Sequence, residues 1–265
     1  MRTLDELRGY EIRATDGLIG KVDEVYFDDE RWVVRYIVVD TGTWLSSRRV
    51  LVSPIAFGEP DWASRTIPTR LTKERIEQSP SIDLDKPVSR QQEAHFNSYY
   101  GWPTYWGSFG LWGRWSAPVA MAMPPHPDPD AAAAKDEDHH LRSSREVTTY
   151  HLHATDGEVG HVTDFVVDDV TWAVRYLAVA TSNWWFGKHV LIAPALIESV
   201  RWDEGLVDLR VTRDVIKGSP PWNPDDPSWS DYEQRLLAYY DTERRQKMRR
   251  DVPRPPVTVE PGRRI

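Results

Sequence analysis

Ala14-Thr-Asp-Gly17 recurs as Ala154-Thr-Asp-Gly157, inside a match that runs without a gap from Tyr10/Tyr150 to Tyr100/Tyr240. The offset is 140 residues throughout. Roughly a third of the paired positions are identical, so one small unit is made twice and length alone does not set the domain count. Positions kept in both copies answer to a common fold. Positions that differ are free or specialised.

Working outward, Gly9 to Arg13 is a short strand candidate, and Asp16-Gly17 marks a tight turn where glycine supplies a positive φ. Gly20 is kept as Gly160, which fits a strand bend or a close backbone approach. Val22 to Phe27 and Trp32 to Val39 are rich in β-branched and aromatic residues. Asp28-Asp29 turns between them, as Asp168-Asp169 does in the second copy. Alternation puts Trp32, Val34 and Tyr36 on one face and Arg35, Ile37 and Val39 on the other. Both faces are largely apolar, so the strand is expected to be central. Val50 to Val52 runs into Pro54, matched by Pro194. A last strand lies near Thr66 to Arg70, and Thr72 caps a helical turn through Ile76. Short strands at hairpin spacing with little helix suggest a small barrel.

The ordered set Ala-Thr-Asp-Gly-x-x-Gly, the Asp-Asp turn, Trp-x-Val-Arg-Tyr and Gly187-Lys-His-Val-Leu-Ile-x-Pro194 resembles the PRC-barrel family. That family is named for the photosynthetic reaction-centre H subunit and is found also in ribosome maturation factors. The resemblance covers about residues 5–80 and 145–220. It implies small, mostly antiparallel β-barrels and a docking or assembly role without shared catalytic residues. The chain lacks the transmembrane helix of the H subunit and the N-terminal domain of the ribosome factor. What remains resembles stand-alone, two-barrel bacterial proteins.

The expected fold is therefore all-β: two tandem small antiparallel barrels, a short helix after each, and a largely irregular linker. The expected boundaries are 1–80 for barrel one, 81–144 for a tail helix and linker, 145–220 for barrel two, 221–250 for a helical segment and 251–265 for a basic disordered tail. Ser89 with Gln92, and Ser230 with Glu233, read as capping boxes, and Gly101 reads as a C-cap. Tyr232, Leu236, Leu237, Tyr239 and Tyr240 form an apolar stripe on the last helix, which is expected to reach about Arg250. Gly101 to Trp115 is aromatic and glycine-rich. It reads as a strap packed on the barrels, as an exposed adhesive segment, or as a carbohydrate or aromatic-ligand site. Pro124 to His140 is proline, alanine and acid, and reads as disordered.

Composition narrows the function classes. A net charge of -8 argues against a nucleic-acid binder, and no DNA partner is expected. There are no cysteines, which excludes disulfides, thiolate metal sites and a cysteine nucleophile and suits the cytoplasm. No 18-residue apolar run or signal-peptide stretch is present. Membrane contact is expected, if at all, only through the basic tail after Arg244. Asp23, Glu24, Asp28, Asp29 and Glu30 lack the spacing of an EF-hand loop and read as turn carboxylates. His139, His140, His151 and His153 are the densest histidine group. The first copy has Glu11 and Arg13 in place of the last two, so no metal site is assigned. No nucleophile elbow, phosphate loop or dinucleotide fingerprint occurs, so neither catalysis nor a cofactor is expected.

The residues singled out for partner binding lie in one hairpin of each copy: Trp44, Leu45, Arg48 and Arg49, then Trp184, Trp185, Phe186, Lys188 and His189. Loop tips are usually polar, whereas these place aromatics beside cations, a favoured interface composition. The competing reading is that they fold back and plug the open barrel end. The leading expectation is a non-enzymatic assembly module with an unknown protein partner and a possible homodimeric state. The alternatives are peripheral association with a membrane complex, resembling the H subunit in photosynthetic electron transport, and an RNA or ribosome-assembly role.

Overall fold

The computed structural model describes residues 1–45, 48–80, 88–106, 110–122, 140–181, 188–224 and 229–250, the side chains of 244–250 excepted. Unit one contains β2 (Glu11–Ala14), β3 (Gly17–Asp28), β4 (Val33–Asp40), β5 (Arg49–Val52), β6 (Thr66–Pro68) and helix α2 (Lys73–Glu77). Unit two repeats it with β8 (His151–Ala154), β9 (Gly157–Val167), β10 (Val174–Thr181), β11 (His189–Ile192), β13 (Leu206–Leu209) and α5 (Arg213–Gly218), plus β12 (Ile197–Arg201) paired to β13. The sheet orders are β5-β4-β3-β2-β6 and β11-β10-β9-β8-β13-β12, so the duplicated sequence gives the same topology twice.

The protein is strand-rich, but two details differ from antiparallel barrels. β2 pairs with β6, and β8 with β13, in parallel. Among the described strands, β5 and β6 are not paired to each other. Instead a 3-10 turn, Pro54–Ala56, follows β5, and the backbone beyond it bonds to the residues after β6: Gly58 N–H donates to Pro68 O and Arg70 N–H to Ala56 O. Each unit is thus a curled, open sheet. Gly20 is a point of close backbone approach within it. A Cβ there would lie 2.0 Å from the Asp40 carbonyl oxygen, and at Gly160 1.9 Å from that of Ala180. Only a residue without a side chain lets the two backbones approach this closely.

The alternation expected along β4 breaks at Arg35. Tyr26 pairs with Tyr36 but Phe27 with Val34, so Arg35 is the extra residue of a β-bulge. Val34 therefore joins Ile37 and Val39 in the main core, while Tyr36 and Val38 face a second cluster under helix α3 (Arg90–Tyr100). Arg175 occupies the same bulge in β10.

The units also exchange their leading strands. β1 (Arg2–Thr3) pairs with β9 of unit two, and β7 (Leu141–Ser143) pairs with β3 of unit one. Helix α1 (Leu4–Leu7) packs on β9 and α4 (Ser144–Val147) on β3. Each exchange is tied to a carboxylate at the equivalent position of the other unit: the Asp5 N–H at the start of α1 donates to Asp164, and Ser143 Oγ donates to Glu24. The exchange is closed by two strained turns. Trp32 (φ 54°) and Trp172 (φ 60°) adopt the left-handed conformation that bulky residues avoid. Asp28 Oδ1 accepts from the N–H groups of Glu30 and Arg31, and Asp168 Oδ1 does the same in unit two. So held, Trp32 O accepts from Val174 N–H and Trp172 O from Val34 N–H. Phe27 and Phe165 meet 5.3 Å apart between the units, and one main core runs through both.

The capping box of Ser89 with Gln92 is present, and Gly101 ends α3 in the left-handed region. The one expected at Ser230 is not. Helix α6 (Trp229–Arg250) starts a residue earlier, and Glu233 turns onto β10, where it accepts from Tyr176 Oη and pairs with Arg175. In the apolar stripe, Tyr232 and Leu236 are buried against sheet two, but Leu237 points outward.

Candidate interaction surfaces

Trp44 and Leu45 are half-buried against the main core, and Lys73 Nζ lies 4.3 Å from the Trp44 ring centroid. Arg48 donates to the carbonyls of Glu77, the last residue of α2, and of Ser79 beyond it. Lys188 does the same at the end of α5, donating to Lys217 O and Ser219 O. Both cations therefore satisfy carbonyls left open at a helix C-terminus and favour its negative dipole end. Partial burial against these groups pulls the Lys188 ammonium below its usual range. Arg49 pairs with Glu24 at 3.7 Å, and His189 is exposed at the start of β11. Trp184, Trp185 and Phe186 lie outside the described residues. The described part of the unit-one hairpin is thus seated on its own unit. Of the histidines grouped in the sequence, His140 contacts Asp29 and Glu30, His151 contacts Glu158 and lies 6.5 Å from the His161 ring, and His139 lies outside the described residues.

The aromatic segment after Gly101 is a strap. Tyr105, Trp112 and Met121 are buried in the main core. Three arginines of unit one grip it. Arg31 donates to Tyr105 O and Gly110 O, Arg90 donates to Tyr105 Oη at 2.6 Å, and Arg35 lies between two rings, 3.6 Å from Tyr105 and 4.6 Å from Trp112. Trp112 Nε1 crosses to unit two and donates to Thr171 O. Below the strap is a buried ionic group. Asp28 contacts Arg35 at 3.3 Å and Arg90 at 3.7 Å, and Glu93 contacts Arg90 at 3.4 Å. Among the described residues Arg35 Nε and Nη1 have no hydrogen-bond partner, and the ring faces help to stabilise its charge.

The internal repeat shows what the strap adds. Asp28, Arg35 and Glu93 are kept as Asp168, Arg175 and Glu233, but Arg31 and Arg90 become Thr171 and Ser230. Arg175 is about half exposed, and among the described residues no aromatic ring covers it. The sequence held this signal: the extra arginines occur only in the copy followed by the aromatic segment. Its meaning could not be read without knowing that the strap folds back over the bulge.

Titration in this cluster follows burial. Burial would raise the Asp28 carboxyl, but Arg35, Arg90 and the N–H groups of Arg31 and Glu30 outweigh it and hold it below its ordinary value. Burial dominates at Glu93, pushing it up to about 7 against the pull of Arg90 and Tyr105. A carboxyl raised in the fold adds stability below its unfolded value, near 4.5, and loses it as pH rises through about 7. The stability of the wild-type chain relative to Glu93→Gln should therefore fall by up to about 3 kcal/mol between pH 4.5 and 8, measured by urea melts. A difference that does not change with pH would contradict this assignment.

Residues 1–59 match the PRC-barrel domain family. That span runs from β1 through the turn that follows β5. No curated protein matches the chain.

Proposed function

We propose that this chain, whose residues 1–59 are a PRC-barrel domain, is a non-enzymatic scaffold that binds a protein partner in an assembly. The family match carries this reading, because at family level the domain is an interaction module. The geometry supports it. The buried ionisable groups of unit one lie against one another, against helix ends or against the strap, which is a structural use of charge. Among the described residues no helix is long and apolar enough to cross a membrane. A peripheral membrane role would fall to the basic tail.

The test is in-cell cross-linking of the tagged full-length chain in its native host, followed by mass spectrometry. The expected result is a discrete protein partner recovered in near-stoichiometric amount and resistant to nuclease. Recovery that collapses with nuclease would favour the RNA alternative. Salt-sensitive recovery with lipid vesicles, lost on deletion of 244–265, would favour the membrane alternative.

A further inference from the structure

The strap has an uncovered counterpart on the other side of the molecule. On the covered side, the 3-10 turn Pro54–Ala56 is fully buried and lies against the strap's own turn, Pro118–Ala122. Beside it, Phe57 and Trp172 are in ring contact at 5.4 Å, and Trp172 is buried. The equivalent positions are Pro194–Leu196, Ile197 and Trp32. There the 3-10 turn has no buried residue, and Trp32 is only half-buried. An open groove of about 420 Å3 lies at this place, lined by Trp32, Pro194, Ile197 and Val200 on its apolar walls. Its polar lining holds three carboxylates, Asp29, Glu30 and Glu198, beside Arg142, His140 and Ser199. Glu30 and Glu198 are more than half exposed and reach Arg90 at 3.5 Å and Arg210 at 3.3 Å from the groove's edge, and Asp29 is held by Arg142 at 2.7 Å.

Two proline-rich segments of the chain lie outside the described residues. Segment 123–139 carries Asp128, Asp130, Asp136, Glu137 and Asp138 against Lys135. Those carboxylates would face the groove's own. Segment 251–265 has the opposite balance, with Arg254, Arg263 and Arg264 against Asp251 and Glu260, and it contains Val252-Pro-Arg-Pro-Pro-Val257. Proline-rich chain favours the extended polyproline helix, which needs no internal hydrogen bonds and docks into grooves walled by aromatic residues. An adjacent carboxylate then pairs with a flanking arginine. Fifteen residues in that form span roughly 45 Å, comparable to the breadth of a folded chain of this size.

We propose that the groove between the Trp32 turn and the Pro194–Ile197 segment is a polyproline-type docking site, and that its occupant is segment 251–265 of the same molecule. The segment does for unit two's side what the strap does for unit one's, except that its contact is with the surface rather than the core. The inference rests on reading the chain as an interaction module, since a site filled in cis is one that a proline-rich, arginine-bearing partner could compete for.

The chain has no cysteine, so disulfide trapping tests this in the full-length protein. Ser199→Cys, an exposed position lining the groove, is combined with Val257→Cys, and the control pairs Val257→Cys with Ser64→Cys, an exposed position in unit one. Under mild oxidation the Ser199 pair should close within one molecule at least tenfold faster than the control. Arg254→Glu should remove that advantage, and 1 M salt should reduce it. Equal rates for the two pairs would overturn the proposal. A cross-link formed mainly between molecules would overturn the cis assignment and give the groove to a second copy. None of these outcomes depends on recovering an external partner, so the docking proposal can fail while the scaffold reading stands.

Discussion

Arg35→Ala should lower the melting temperature by about 10 °C, while Arg175→Ala should leave it almost unchanged. The two residues occupy the same bulge of the same repeated sheet, so each is the other's control. Arg35 is fully buried, pairs with an equally buried Asp28 and is enclosed by Tyr105 and Trp112. Removing it leaves the Asp28 carboxylate with the N–H groups of Glu30 and Arg31 and, as a cation, the more distant Arg90 at 3.7 Å. Breaking a buried pair in this way costs about 3 to 5 kcal/mol. At roughly 2 to 4 °C per kcal/mol for a chain of this size, that gives the expected shift. Arg175 is half exposed and pairs with Glu233 at 3.2 Å, a surface ion pair worth about 0 to 1 kcal/mol. Calorimetry on the two variants decides the matter. Equal shifts would mean that the strap does not desolvate Arg35 as described.

Trp112→Ala should cost about 4 kcal/mol, the range for truncating a large buried aromatic. The indole is fully buried, lies over Arg35 and donates to Thr171 O in unit two. Its loss opens a cavity, uncovers the guanidinium and leaves a carbonyl unpaired at once. Trp112→Phe keeps much of the volume and loses the N–H, so it should cost only about 1 to 2 kcal/mol. If the strap were merely draped on the surface, both variants would melt like the wild type. Denaturant melts of the pair would show it.

How much of this is legible in the sequence follows from the range of each interaction. Gly20 and Gly160 read as positions of close approach because a glycine inside a strand pattern, kept in both copies, marks a bend or a tight backbone contact. Their carbonyl neighbours bear that reading out. The Ser89 cap and the Gly101 stop are legible because capping is decided within four residues. Ser230 misleads for a related reason: a serine three residues before a glutamate satisfies the local rule, but Tyr176 and Arg175 compete for that glutamate from a strand 57 and 58 residues away. The bulge at Arg35 escapes the alternation rule, since an inserted residue in one strand is visible only against the strand it pairs with.

The sequence by itself determined that one unit occurs twice, where most of its strands lie and turn, and that its first copy resembles the PRC-barrel domain that residues 1–59 match. Those properties rest on side-chain periodicity, turn chemistry and self-similarity, all carried by near neighbours in the chain. Only the tertiary structure decided that residues 1–7 pack on unit two and 141–147 on unit one, because the two copies present alike strand edges and nothing in a leading strand names which copy it will join. It likewise decided that an aromatic strap buries one arginine of a repeated pair and leaves the other in water. Desolvation depends on what folds over a residue, and that cover arrives from 70 to 77 positions further along the chain, at Tyr105 and Trp112.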